Sequence, residues 1–585
     1  MKNKKIEIIV LATILILQTL IYIFVGAKKS YIHMDEAYSM GLASYDKVEI
    51  QDNADFYNTW HNKEYYEDYM SVQENEKGKF SQVYENQKND VHPPLYYLLL
   101  RIAMGFSNNG YSKWPGIIVN IVIFVFITLL SYYILQELLC NEKYVKEKSV
   151  ILAFISSITM ASLTNVIYIR MYALSTFNIL LTTFLHIKLL KCGKQDVKLL
   201  ILIGISALIG SLTHYYYLFY LAMMYLLFAI KYIKNKQWEK LGFYTLTMLL
   251  AAIISLIIFP YSINHMFFGY RGQGVIDKFK NISMFFENIK EYLKKVNRFC
   301  FNNIGIYILI IDVIAFLYIK FIKRKIIESE TCNIKTEEKS VIELKRMEEF
   351  ESNRKERIRT IVIPTFFYYL LVAVASPWIE LRYIMPICIL LFIILIYWTY
   401  VLFSKIFNEK IRNTIIALLL IILIISPAVF KIEPEVMFSD KTEIVEKLSN
   451  EYNLPTLYVF YSENNRFLDD ILLFSRINES YVAKDLEYSV ENIKSIFKGK
   501  DISKGIIIII NKDEGNDEIL RNLSDSLNLE KAEHFKRMNA CNIYFMPSRN
   551  FWKKLQIFPK YSIIEKVSKY KYNKKGREKW SIYIY

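Results

Sequence analysis

The stretch "IEIIVLATILILQTLIYIFVGA", residues 6–27, decides the fold. It holds one acid, no base and no proline, and about 20 apolar residues in helical form cross a hydrocarbon core. Similar runs recur near 115–139, 149–168, 171–190, 198–213, 215–231, 241–260, 303–322, 360–376, 383–403 and 412–430. The reading is a mainly α, polytopic chain of about eleven spans. A mean hydropathy of +0.20 over 585 residues excludes a string of ordinary soluble domains. The first run follows "MKNKK" and reads as a retained signal-anchor. It is too long for a signal peptide's apolar core, and no small-residue cleavage site clearly follows.

Lysines order the loops. Lys2, Lys4 and Lys5 precede the first span; Lys143, Lys146 and Lys148 follow the second. Lys191, Lys194 and Lys198, then Lys231, Lys234, Lys236 and Lys240, and then the segment Arg324 to Arg359 mark further basic loops. Such loops face the cytoplasm. The formal charge of +16 is absorbed by this pattern and by a Lys-, Ile-, Asn- and Tyr-rich composition, so no nucleic-acid partner is inferred. The orientation places 28–114, 168–172, the tip near 214, 261–302, 377–382 and everything after about 431 outside. His33, His61, His92, His214, His265 and His534 then all lie outside or at the outer boundary, and only His186 does not. Six cysteines without CxxC spacing give no disulfide framework and no thiolate zinc site, although Cys300 and Cys541 could meet outside.

Two domains are expected. Residues 1–430 form the transmembrane domain, with 28–114 as a large first outer loop. Residues 431–585 form an outer α/β domain with strands at "TLYVFYS" (456–462), "GIIIIINK" (505–512) and "NIYFMPS" (542–548). The end "KYKYNKKGREKW" (569–580) reads as a solvated tail or a contact for anionic headgroups or wall polymers.

Chemistry-bearing residues gather on the outer side. In "YIHMDEAYSM" (31–40), Asp35 sits where a helix N-cap is expected. In "NDVHPPLYYLLLR" (89–101), Asn89 and Asp90 are candidate caps ahead of a short helix. Arg170 in "YIRMYAL", His214 in "LTHYYYL", Arg271 in a flexible "YRGQG" and Arg382 in "PWIELRYIMP" stand at span ends. Each alone is an ordinary interface anchor. Together they suit attack on a phosphate-activated lipid. Arg170, Arg382 and Arg271 clamp the phosphate, and Asp35 takes the acceptor's proton. Glu36 or His92 orients the base or the acceptor, with His33, Tyr172 and His214 beside them.

The segments "HMDEAY", "HPPLYYLLLR", "YIRMYAL" and "ELRYIMP", in that order over residues 6–400, resemble the GT-C membrane glycosyltransferases, above all the family-39 type. That type includes protein O-mannosyltransferases and the lipid A aminoarabinose transferase. The resemblance implies a polyprenyl-phosphate sugar donor, an extracytoplasmic site and inversion by single displacement. It also implies Asp35 and Glu36 as the catalytic acids, Asp35 being the base. The acceptor stays open: protein, lipid or wall polymer. No cofactor is expected, with room left for a divalent metal on Asp35, His33 and His92. The main rival is a flippase for lipid-linked sugars, which calls for broken helices and ionisable groups at mid-membrane. A receptor or scaffold displaying the tail is a further rival.

Overall fold

A computed structural model describes residues 2–107, 110–140, 142–192, 196–280, 284–323, 341–438, 441, 445–446, 448, 453–461, 467–511, 516–538 and 541–549. These fall into two compact units, one within Met1–Asn453 and Asn465–Ser480, the other within Leu454–Asn464 and Tyr481–Tyr585. The first unit runs past the expected boundary at 430. Glu435 N–H donates to Thr164 Oγ1, and Ser30 bonds to the carbonyls of Met437 and Phe438.

Among the described residues, eight helices are long and apolar enough to cross a membrane: Lys5–Lys28, Trp114–Leu138, Tyr172–Lys191, Tyr217–Lys234, Trp238–Ile258, Asn353–Ala375, Met385–Ser404 and Glu409–Phe430. Two bent pairs, Val145–Ser157 with Met160–Ile167 at 60° and Phe285–Cys300 with Gly305–Phe321 at 101°, make the number ten if each is counted as one span. The remaining expected span, 198–213, is the 15-residue helix Val197–Ser211, short for a crossing. Large apolar side chains such as Ile9, Leu249, Ile257 and Ile422 stay exposed. Such faces belong in lipid, and the chain is a multi-pass membrane protein.

The bends have local causes. Thr159 accepts from Ser162 N–H at 3.3 Å and starts a new helix. Asn302 and Asn303 have φ of 51° and 67°, a left-handed turn that asparagine tolerates. Tyr172–Lys191 lies inside the bundle, packed against Trp114–Leu138, Val197–Ser211, Met385–Ser404 and the helix ending at Ala375.

The first outer loop folds into short helices that carry the site. Met34–Ser44 is capped by His33, not Asp35. His33 Nδ1 accepts from Asp35 N–H at 3.1 Å, and Glu36 Oε2 accepts from His33 N–H at 2.8 Å. Asp35 is thereby released from capping and stands in the first turn. Asn89 and Asp90 do not begin the next helix either; they end Phe80–Asn89. Pro93 and Pro94 follow, and Leu95–Gly105 begins with Leu95 N–H bonded to Leu212 O at 3.1 Å. The fully buried Arg101 donates to Ala43 O at 2.8 Å, Ser44 O at 3.3 Å and Glu76 O at 2.7 Å. It satisfies carbonyls that the end of Met34–Ser44 leaves open. "YRGQG" is not a flexible loop but the start of the helix Tyr270–Lys280.

In the second unit the strands run in the order Glu479–Lys484, Thr456–Phe460, Gly505–Ile510, Cys541–Pro547, Glu533–Met538. Thr456–Phe460 is parallel to the wholly buried Gly505–Ile510, with Tyr458 opposite Ile509. Cys541–Pro547 is antiparallel to it, with Ile508 opposite Tyr544. Helices Val490–Ile496 and Asp517–Leu527 complete an α/β unit, as the apolar strands predicted. "ESYVAK" and "EHFKRM" are strands as well, less evident in the sequence because of their charged residues. Cys300 and Cys541 are both free thiols, and residues 569–580 lie outside the described residues.

Candidate active site

The two neighbouring acids do different work. Consecutive helical residues point about 100° apart, and Glu36 turns inward. Its Oε1 meets Lys29 Nζ at 2.5 Å and accepts from Ile169 N–H at 2.9 Å, and its Oε2 is taken by the cap. Lys29 also donates to Ile167 O at 2.8 Å. Both side chains are fully buried. Burial pulls the Lys29 ammonium down from its ordinary value against the attraction of Glu36. This pair ties the end of the first span to the turn 167–170. Asn120 holds the same turn through Val166 O at 3.1 Å and Tyr168 O at 2.8 Å. Gly116 lets Ile169 approach Trp114–Leu138, where a Cβ would collide with the Ile169 side chain.

Removing one partner of a buried pair costs about 3–5 kcal/mol, while an apolar replacement of both is close to neutral. Lys29→Met is therefore expected to lower the melting temperature strongly. Lys29→Met with Glu36→Leu recovers part of the loss, since no charge is left unpaired but the Ile169 and His33 N–H groups lose their acceptor. Thermal melts in detergent check this, and equal losses in both variants contradict it.

Asp35 is not drawn inward with Glu36. Its Oδ2 accepts from Tyr168 Oη at 2.8 Å and pairs with Arg382 Nη1. His33 Nδ1 stands 3.6 Å away. The side chain of Asp35 is 18% exposed, so the carboxylate is sheltered but reachable. Burial alone would push Asp35 up. Arg170 first and then Arg382 outweigh it and hold the carboxyl well below the usual range. Burial, with Arg382, Arg170 and Lys29, brings His33 down to about 4 against the pull of Asp35, so it is neutral at pH 7.

Arg170 acts on Asp35 by charge; its Nη1 donates to Ser39 Oγ at 3.1 Å and Tyr97 Oη at 3.2 Å. Arg382 also reaches Tyr168 Oη at 3.2 Å and Tyr383 Oη at 3.4 Å. The Nε of each guanidinium is buried with no hydrogen-bond partner. Trp378, 52% exposed, lies under Arg382 at 5.9 Å and under Arg271 at 4.7 Å, which brings the third arginine to the same corner. Tyr172 stacks on Tyr168 with centroids 5.9 Å apart and meets the His214 ring at 5.5 Å. His92 lies 6.3 Å from His214 and turns its Nδ1 to Asp90 Oδ2 at 2.8 Å. Burial lowers the pKa of His92 and of His214.

Asp35, Arg170, Arg382, His33 and Tyr172 thus come together, with Arg271, His92 and His214 at the edge. Glu36 is behind them. Among the described residues no three His, Cys, Asp or Glu side chains are placed to hold a metal ion; His33 stays beside Asp35 while His92 goes to Asp90. Sequence reading missed Lys29, Tyr168, Asn120 and Trp378. Lys29 looked like a flank of the first span, and Tyr168 like an interface tyrosine. A polar Asn120 in the apolar first half of its span was the one visible signal.

No family model matches this sequence, and no curated protein matches it. Among solved structures, the crystal structure of ArnT from Cupriavidus metallidurans bound to undecaprenyl phosphate is similar at 8% identity. The alignment covers 91% of this chain and 97% of that one with a TM-score of 0.43, a likeness too distant to bear on this chain's reaction.

Proposed function

We propose that this chain is a membrane glycosyltransferase. It takes a sugar from a polyprenyl-phosphate donor and passes it, with inversion, to an acceptor on the outer face. The observation that carries the reading is a reachable carboxylate, Asp35, set at the end of the first span between two sheltered guanidiniums with unused N–H groups. Phosphate is the ligand whose geometry uses such forks.

The acceptor's hydroxyl or amine attacks the anomeric carbon, the bond from that carbon to the phosphate oxygen breaks, and the acceptor's proton goes to Asp35. The leaving phosphate keeps the electron pair and is held by Arg382 and Arg170, with Arg271 at the rim. Asp35 pinned by Arg382 is a weak base. Arrival of the donor phosphate competes for the guanidiniums and frees the carboxylate, raising its proton affinity when the acceptor needs it. Guanidinium charge does the work a metal would otherwise do. The outward orientation rests on the lysines, which gather at the opposite ends of the spans in Lys146, Lys148, Lys191, Lys231 and Lys234.

Transport of lipid-linked sugars gains support from the two bent helix pairs and from Asp312, which is buried in Gly305–Leu317 with Oδ2 bonded to Thr399. The sequence reading found neither, although Asp312 stands in the middle of the expected span 303–322. Phe285–Cys300 buries only one face, Tyr292, Val296, Phe299 and Cys300, which suits an interfacial helix better than half a span. The purified chain in lipid, given a panel of polyprenyl-phosphate sugars and a cell-envelope acceptor extract, is expected to release free polyprenyl phosphate, read by mass spectrometry. No release with any donor, together with movement of the lipid across vesicle bilayers, replaces this reading by transport.

A further inference from the structure

At the ends of the spans opposite Asp35, the charges do not balance locally. Arg357 sits on the helix Val341–Ala375, just ahead of the apolar run 360–376, and is 6% exposed. Its Nη2 donates to the thiol of Cys140 at 3.4 Å, and its Nε is buried with no partner. Glu356 beside it is taken by Lys231 at 3.1 Å and Arg359 at 2.8 Å. Arg357 therefore has no carboxylate among the described residues. Arg354, one turn earlier, hydrogen-bonds the Tyr397 hydroxyl, and Cys140 and Arg357 lie close to the same hydroxyl.

Next along the same surface, two residues on from Cys140, Glu142 is shared by three groups. Arg412 meets it at 2.8 Å, Lys148 at 3.5 Å and Tyr400 Oη at 2.5 Å. Arg412 too keeps a buried Nε without a partner. All three bonds go to Glu142 Oε2, and no ion pair joins Glu142 to Arg357 among the described residues.

A sheltered guanidinium without an anion is costly near lipid. A thiol is a poor substitute for one. The depth is that of headgroups, since Arg357 lies just before the apolar run 360–376 of the same helix. We propose that Arg357, with Arg354, the Cys140 thiol and the Tyr397 hydroxyl around it, binds a phosphate anion, and that its source is the headgroup of an anionic phospholipid in the leaflet opposite the candidate active site. Basic pockets between spans take such headgroups. The fork of Arg357 supplies paired donors, and its unused Nε–H gains the acceptor it lacks.

The full chain would be purified in mixed phosphatidylglycerol and phosphatidylcholine micelles. Retained lipid is then read by native mass spectrometry, and melting is followed with each lipid alone. Wild type is expected to keep phosphatidylglycerol selectively and to melt several degrees higher in it than in phosphatidylcholine. Arg357→Gln loses both effects. Cys140→Asp, at an exposed position, puts a carboxylate beside the guanidinium and should melt alike in both lipids, which keeps the test alive if Arg357→Gln fails to fold. Millimolar inorganic phosphate that matches the phosphatidylglycerol effect retains the anion site and makes the free ion its ligand. Selective phosphatidylglycerol retention undiminished in both variants overturns the site.

Discussion

Asp35→Asn is expected to lower kcat by about 10²–10⁴-fold, the span covered by a positioned general base. The amide keeps the size of the side chain and can still accept from Tyr168. Folding should therefore survive, because the lock between Lys29, Glu36 and Ile169 does not involve Asp35. Single-turnover rates with saturating donor test this, alongside a melting curve. A rate within threefold of wild type contradicts the assignment of the base.

Arg382→Gln carries the second large effect. A hydrogen bond to a charged group contributes about 1.5–3 kcal/mol, so loss of the Arg382 fork is expected to weaken donor binding by roughly 10- to 100-fold. It also acts on Asp35, whose carboxyl this guanidinium holds low. A depressed carboxylate keeps its stabilising pairing above the ordinary value of about 3.9 and loses it as pH falls through the lower native value. Without Arg382 the native value rises toward the ordinary one. The acid-side fall in kcat/KM should then begin at a higher pH than in wild type, and the stability lost on acidification should be smaller, because the unfolded value is unchanged. A variant with unchanged donor affinity and an unchanged acid limb contradicts the clamp.

Hydropathy alone made the mainly helical membrane unit legible, because lipid leaves helices few alternatives. It could not show that Val145–Ser157 and Met160–Ile167 change direction at Thr159, since a window average has no direction in it. The acidic pair after the first span was legible as a motif, but the division of labour within it was not. That division depends on partners 7 positions away for Glu36 and 347 positions away for Asp35. Capping was misread for a related reason. Asp35 and Asn89 are good caps by residue type, yet the prolines at 93 and 94 and the His33–Glu36 box decide where the helices begin. Arg170 and Arg382 were found because an arginine at a span end is conspicuous. Arg101 was not, because inside an apolar run it reads as an interface residue, whereas it is fully buried on carbonyls.

The central claim is that the donor's phosphate and the Asp35 carboxylate compete for the same guanidiniums. Equilibrium binding of polyprenyl phosphate to wild type and to Asp35→Asn at pH 7 tests it most directly. Removing the competing carboxylate is expected to tighten binding severalfold even as turnover is lost. Weaker binding in Asp35→Asn, with the fold intact, would mean that Asp35 holds the lipid rather than yielding to it, and would contradict the account.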